Sequence, residues 1–444
     1  MPNLKAPPSP LPSSSPSSLT TTLTTALHIR RQNSTYRTLT IPPPDSIDFS
    51  SNDFLSLSHS PLLRTAFLSE LHAHPAFPVG SGGSRLLDGN SPYAEALERS
   101  TAEFHGAEAG LLCNSGYDAN VGLFGCVPQA GDVVVWDELV HASVREGMRL
   151  SRAAGRTVMF RHNDCADLRR VLTDVRGKDE KVRDGKASVF VAVEAIYSMD
   201  GDLVPLKRVV DVVDEVLPRG NGHIIVDEAH STGVLGPLGK GLVCQEGLEN
   251  RIFARLHTFG KSMACSGAII LCSPLVRSYL INYSRPVIYT TFMPFPNLAA
   301  IQASYSLLKS GEAEPLAARL HELVQILFHR LQALAAKFGG VESLQRNGLL
   351  TVPSEIPGSP VFALLTDHPR SLATHCQKAG YMVRAVVPPT VPEGTSRIRV
   401  CLHAGNNEEQ IEGICSEIEK WLTSWCARLQ CGEKVTPEKD RPRL

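Results

Sequence analysis

The sequence predicts an α/β protein built on a mostly parallel, doubly wound sheet, followed by a smaller α+β domain. Three observations predict it. Short apolar runs alternate with helical stretches, at LLC (111–113), VVVWD (133–137), VFVAVEAI (189–196) and IIV (224–226), which is how βαβ units with two covered faces read. Polar residues such as Asp227 and His230 follow the apolar runs directly, and open parallel sheets carry their sites at the carboxyl ends of the strands. After Pro296 the pattern turns to helical periodicity from Leu298 to Phe338, then to short strands at Val361 to Leu365 and Arg397 to Leu402.

A chain of 444 residues can bury a large core and divide into two or three units. Its 44 Lys plus Arg nearly balance 45 Asp plus Glu, so no surface field draws it to nucleic acid or to an anionic membrane. Eleven Cys are scattered without a C-x-x-C pair, and several lie in apolar runs as small hydrophobes, as a reducing compartment allows. No apolar run approaches the roughly 20 residues of a membrane helix. Neither a signal peptide nor an Arg-rich presequence is visible.

Taken in order, residues 1–25 are rich in Pro, Ser and Thr with Lys5 the only charge, which predicts a disordered extension. Residues 26–55 hold a helical stretch, ALHIRRQNSTYR, then turn formers at Asn52-Asp53-Phe54-Leu55 beside a short strand. Residues 56–296 form the expected large domain. Within it Gly80 to Arg85 is a glycine-rich turn, and Ser91-Pro92 opens a helix whose early Glu95 and Glu98 suit its dipole. The stretch LLCNSGYDAN runs a strand into Gly116-Tyr117 at a helix start, where free backbone amides suit a phosphate. His141 follows the VVVWD strand, and the charged run 173–186 reads as a solvated loop. Residues 297–425 make the small domain, and 426–444 a mobile charged tail.

The stretch from His223 to Ile270 holds the chemistry. One strand ends at Asp227 and His230, and the next, Ile252 to Phe259, ends at Gly260-Lys261-Ser262, so a carboxylate, an imidazole and an amine meet at one crevice. DEAH followed by GKS could belong to a nucleotide hydrolase. That loop needs glycine at position 255, which is Arg, and Gly239-Lys240 is followed by Gly241 instead of a hydroxyl. The second chemistry is that of pyridoxal phosphate, where a carboxylate keeps the ring nitrogen protonated and a lysine holds the aldehyde. Asp227 and Lys261 are candidates for that pair.

Read together, SNDFLSL, GSGGSRLLDGNSPYAEALE, SGYDAN, DELVHASVREGMRLS, RHND, SMDGDLVPL, VDEAHSTGVLGPLGKG, HTFGKSMACSGA and PPTVPEGTSRIRV resemble, in order, the motifs of the α-oxoamine synthases. These are class II pyridoxal-phosphate-dependent aminotransferase relatives of fold type I, and the resemblance spans Ala26 to Trp421. It implies an acyltransferase that uses pyridoxal 5'-phosphate and no metal. It also implies a homodimer with active sites at the subunit interface. The double proline in Val387 to Pro392 resembles the members that condense L-alanine with a pimeloyl thioester, pimeloyl-CoA or a pimeloyl carrier protein, on the route to biotin. Glycine or serine with another acyl thioester is the alternative.

The same resemblance implies roles for single residues. Lys261 holds the cofactor aldehyde and then acts as base, Asp227 holds the ring nitrogen proton, and His141 stacks on the ring. His230 and Ser198 match positions around the ring phenolate oxygen. Gly116, Tyr117 and Thr258 match the phosphate site, with Thr290 or Thr291 reaching the phosphate of the neighbouring subunit. Arg399 matches the clamp on the amino-acid carboxylate, a bidentate task suited to arginine. Arg37, with the preceding pair Arg30 and Arg31, matches an arginine that contacts substrate, as does Thr390. His257, Ser262, Met263 and Ala264 depart from the usual lysine motif, and Phe54 and Ser56 replace a common Tyr and Gly. The ending Pro442-Arg443-Leu444 resembles the Ser-Lys-Leu peroxisomal address. That predicts a peroxisomal protein, otherwise a cytoplasmic one.

Overall fold

The computed structural model describes residues 17–33 and 35–430. Its strands in chain order are β1 (Ile47–Asp48), β2 (Ala109–Cys113), β3 (Val133–Asp137), β4 (Thr157–Phe160), β5 (Val189–Glu194), β6 (Gly222–Asp227), β7 (Ala254–Thr258), β8 (Ala268–Cys272), β9 (Val361–Leu365), β10 (Tyr381–Met382), β11 (Arg384–Val386) and β12 (Arg397–Cys401). Seven of them form one sheet in the order β2-β8-β7-β6-β5-β3-β4. Neighbours from β7 to β4 pair in parallel, while β8 runs antiparallel to both β7 and β2. The expected α/β, fold type I architecture is therefore present.

The sequence of β5, VFVAVE, is buried at every position, which follows from helices covering both faces. On one face the helix Leu206–Val216 turns Leu206, Val209, Val210, Val213 and Val216 inward, the stripe a 3.6-residue period produces. Burying each such aliphatic side chain contributes roughly 1.5–3 kcal/mol. On the other face, helices Gly116–Cys126 and Ala142–Leu150 pack together. Both start beside the strand ends, so their N-termini point into the crevice where Asp227 emerges.

The small domain is a three-stranded antiparallel sheet, β11-β12-β9, against helices Glu314–Lys337, Pro369–Lys378 and Glu408–Gln430. The N-terminal segment joins it, because β1 pairs in parallel with β10. Ser56 stands in the left-handed region at φ 56°, a position that favours glycine, and its Oγ accepts a 2.9 Å bond from the Gly405 amide.

The charged run 173–186, expected as a solvated loop, is mostly helical, lying in the helices Cys165–Lys178 and Glu180–Arg183. Three expectations about boundaries also need correction. The first helix is Ser18–Gln32, capped by the Ser17 hydroxyl, so it begins well inside the stretch expected to be disordered. The Ser17 hydroxyl accepts from the Thr20 amide, which satisfies one of the free N–H groups at the helix start and favours a helix there despite the Ser-rich composition. The last helix runs to Gln430, past the expected start of the tail at 426. The helical stretch after Pro296 is two helices, Phe295–Lys309 and Glu314–Lys337, separated at Gly311 with φ 80°. The first of them packs with the helix Pro61–Ala73, so the large domain ends near Ser310 instead of at 296. Residues 1–16 and the tripeptide Pro442-Arg443-Leu444 lie outside the described residues.

Candidate active site

β6 delivers Asp227 as its last residue, and β5 delivers Glu194 directly opposite in register. Lys261 lies in the loop that carries the chain from β7 into antiparallel β8, a loop closed by Phe259 N to Gly267 O at 2.9 Å and Cys265 N to Phe259 O at 2.8 Å. The two residues thus reach one crevice from neighbouring strands, as the sequence implies. The crevice is the carboxyl edge of the sheet.

Hydrogen bonds connect Asp227 to His141 through two side chains. Asp227 Oδ2 accepts from Asn120 Nδ2 at 2.8 Å, and its Oδ1 accepts from the Ala229 amide at 2.9 Å. The same Asn120 amide donates to Ser143 Oγ at 3.0 Å, and the Ser143 hydroxyl therefore has its proton free for His141 Nδ1, 2.7 Å away. The Ser143 amide also donates to Nδ1, at 3.2 Å. With two donors on Nδ1, the ring proton belongs on Nε2. His141 then presents an N–H outward, into the crevice. Its own backbone amide donates to the Glu194 carboxylate.

The electrostatics agree with a neutral ring. Desolvation lowers the His141 pKa, and the Lys261 charge lowers it further against the pull of Asp227. Burial lowers Lys261 as well, with Asp227 and Glu194 opposing and Arg399 assisting. Burial raises Glu194, and the neighbouring Asp227 charge adds to it. His230 is held well below its ordinary value by burial, then by Lys261 and Arg399. Six titratable groups therefore feel one another across one space.

The remaining candidates divide by position. Gly116 opens the helix Gly116–Cys126, which Ser115 caps by accepting from the Asp118 amide at 3.0 Å. A Cβ at Gly116 would stand 3.4 Å from Thr258 Oγ1, so the strand end and the helix start nearly touch. Tyr117 is exposed. Thr291 is also exposed, and its carbonyl accepts from Asn114 Nδ2 at 2.6 Å, two residues before Gly116. The backbone carbonyl of Ser198 accepts from Arg399 Nε at 2.7 Å, and Arg399 Nη2 donates to Asn52 Oδ1 at 2.9 Å. Arg37, Thr390 and Arg399 line one cavity of about 470 Å³. Arg37, Thr390, His141 and Ser198 line the adjoining one of about 520 Å³.

Asn120, Ser143 and Glu194 join the site without having been singled out from sequence. A signal existed for two of them. Glu194 ends a buried strand in a carboxylate, as Asp227 does, and Asn120 lies one turn after Gly116 in the SGYDAN stretch. Ser143 acquires its part only through the cap that His141 makes.

The residues fit pyridoxal phosphate. His230 Nδ1 and Asn120 Oδ1 are buried without a hydrogen-bond partner among the described residues, which native proteins tolerate chiefly where a ligand or water completes them. Asp227 offers a buried carboxylate to a ring nitrogen, Lys261 an amine to an aldehyde, and the helix start at Gly116 its free amides to a phosphate. Fold and site together define a fold type I pyridoxal-phosphate-dependent transferase. Comparison narrows this further. The chain belongs to the aminotransferase class I and II family, which it matches over residues 44–418, and within it to the α-oxoamine synthases.

An 8-amino-7-oxononanoate synthase from Emericella nidulans is 51% identical over 399 residues, covering 89% of this chain and 94% of its own. Aminoacyl transferase sphA from Aspergillus fumigatus is 39% identical over 420 residues, covering 92% and 88%. Among solved structures, the serine palmitoyltransferase of Sphingomonas wittichii superposes with a TM-score of 0.71 at 27% identity over 86% of this chain and 88% of its own. The protein is an acyltransferase that uses pyridoxal phosphate to join an amino acid to an acyl thioester.

Proposed function

We propose that the enzyme condenses L-alanine with pimeloyl-CoA, releasing CO2 and free coenzyme A and forming 8-amino-7-oxononanoate. The observation that carries this reading is the cavity lined by Arg399, Arg30 and Arg37, with no Asp or Glu among its described lining residues. A plain acyl chain would leave the outer guanidiniums unpaired, whereas a chain with a distal carboxylate uses them. The 51% identity to the Emericella nidulans synthase supports the same substrate pair.

The bound cofactor supplies an electron sink for the carbanion at the amino-acid Cα. Everything else falls to the chain. Asp227, fixed by the Asn120 and Ala229 bonds, keeps the cofactor's ring nitrogen protonated. Lys261 takes the Cα proton, and its lowered pKa keeps a larger share of the amine neutral and able to do so. Arg399 clamps the amino-acid carboxylate. His141, with its proton on Nε2, donates to the thioester oxygen as that oxygen gains charge.

His230 and Ser198 flank the ring oxygen, and Gly116, Tyr117 and Thr258 hold the phosphate. The active enzyme is a homodimer in which Thr291 reaches the phosphate in the partner subunit. Its mass in solution by light scattering would read as two chains.

The reaction is tested by a panel of L-alanine, glycine and L-serine against pimeloyl-CoA, heptanoyl-CoA and palmitoyl-CoA, with CO2 release as readout. L-Alanine with pimeloyl-CoA should give the highest kcat/KM. A second reading, an uncharged long acyl chain joined to serine or glycine, draws on the sphA and serine palmitoyltransferase likenesses and on an apolar cavity of about 750 Å³ lined by Phe77, Tyr93, Phe295 and Leu298. Preference for palmitoyl-CoA would favour that reading and reject the first.

A further inference from the structure

Arg384 and Arg399 are register partners on adjacent antiparallel strands, so both side chains leave the sheet on the same face. Like charges placed directly opposite destabilise a strand pair, and a guanidinium cannot relieve this by losing its proton. Nearby Arg397 shows how the fold handles an arginine it needs for structure: it is buried and ion-paired with Asp200. Arg384 is treated differently. It is exposed, and among the described residues no hydrogen bond or ion pair engages its guanidinium.

Depth separates the two arginines. Arg399 is buried, turned to the Ser198 carbonyl and the Asn52 amide at the floor of the cavity. Arg384 and Arg37 are exposed residues lining the same cavity at its mouth. The wall between includes Met199, Ala385, Val387 and Pro388, an apolar surface suited to methylene groups. A ligand with a negative charge at each end and an apolar middle matches this arrangement from floor to mouth.

We propose that Arg384 is a second anion-binding arginine of the substrate cavity, holding with Arg37 the far carboxylate of a dicarboxylic acyl chain while Arg399 holds the carboxylate of the amino acid that condenses with it. The inference rests on the acyl-thioester reading above and adds the residue that makes it selective. It also accounts for a like-charge pair on one small sheet, since a bound carboxylate supplies the missing counter-charge.

Binding of free pimelate to the holoenzyme by calorimetry, with steady-state kinetics on pimeloyl-CoA and heptanoyl-CoA, tests it. Arg384→Gln should weaken pimelate and raise KM for pimeloyl-CoA by about 10- to 100-fold, the usual worth of a charge-assisted hydrogen bond. KM for heptanoyl-CoA and KM for L-alanine should not move, and Arg384→Lys should recover part of the loss. Unchanged pimelate binding overturns the proposal. So does an equal loss for both thioesters, which would assign Arg384 to the phosphates of the carrier. A parent enzyme that prefers heptanoyl-CoA would instead reject the dicarboxylate reading itself, before any variant is made.

Discussion

The two walls of the cleft are built on different terms. On the large-domain wall, Asp227, Glu194 and Lys261 stand at or just past the ends of largely buried central strands, and their positions are fixed by a seven-stranded sheet. On the small-domain wall, Arg384, Arg399 and Thr390 stand on short strands and the turn between them, facing Arg37 from the N-terminal segment. The first wall carries Glu194, His141, His230 and Lys261, whose pKa values are moved by burial and by neighbouring charges. The second carries permanent cations. The difference teaches a division of labour: the large-domain wall supplies proton-transfer chemistry, and the small-domain wall supplies recognition of negative charge.

The largest break in that comparison should come from Asp227. Asp227→Asn keeps the volume and one acceptor but removes the charge at the ring nitrogen. We expect kcat to fall about 10²- to 10³-fold, the scale on which a single electrostatic stabiliser acts, with KM for the acyl thioester little changed. Stopped assays with saturating substrates check it. If KM absorbs the loss instead, the large-domain wall is a binding surface and the division fails.

Arg399→Lys probes the other wall. The fork that donates to Ser198 O and Asn52 Oδ1 and still has N–H groups to offer a carboxylate becomes a point charge. KM for L-alanine should rise about 10- to 100-fold, matching one or two charge-assisted hydrogen bonds, while kcat at saturation moves less. A pure kcat effect would place Arg399 on the chemical side.

The smallest effect concerns the scaffold that ties the strand ends together. His162 Nδ1 meets Asp137 Oδ1 at 2.9 Å and Nε2 meets Asp202 Oδ2 at 2.7 Å. Burial works against its charge, but the two carboxylates win and raise its pKa from 6.5 to about 10. A raised native pKa contributes stability that is complete below about pH 6.5 and is lost as pH climbs toward 10. His162→Gln should flatten that slope of unfolding free energy against pH, measured by urea titration, with modest change in kcat. A slope identical to the parent's would show that the imidazolium is not the source.

Much of the fold was legible because continuous apolar runs and period-3.6 patterns act locally, and the strand ends at Asp227 and Lys261 could be read from apolar runs that stop in polar residues. Asn120 and Ser143 could not be read this way. Their roles depend on two helix starts packing side by side, a contact between residues 23 apart in sequence. Arg384 was hidden for a similar reason, since only strand register sets it against Arg399. The start of the first helix was placed too late, at Ala26 instead of Ser18, because the Pro-, Ser- and Thr-rich composition argued for disorder while the Ser17 cap argued for order. The shift of the domain boundary came from Gly311, whose turn divides one long periodic stretch between two cores.

The central claim is that one lysine at the end of one strand holds the cofactor opposite Asp227. Borohydride reduction of the purified yellow protein, followed by peptide mass spectrometry, reads this directly. The account predicts a pyridoxyl-phosphate adduct on Lys261 alone, and neither adduct nor turnover in Lys261→Ala with its fold intact. An adduct on any other lysine, or an active Lys261→Ala enzyme, would contradict it.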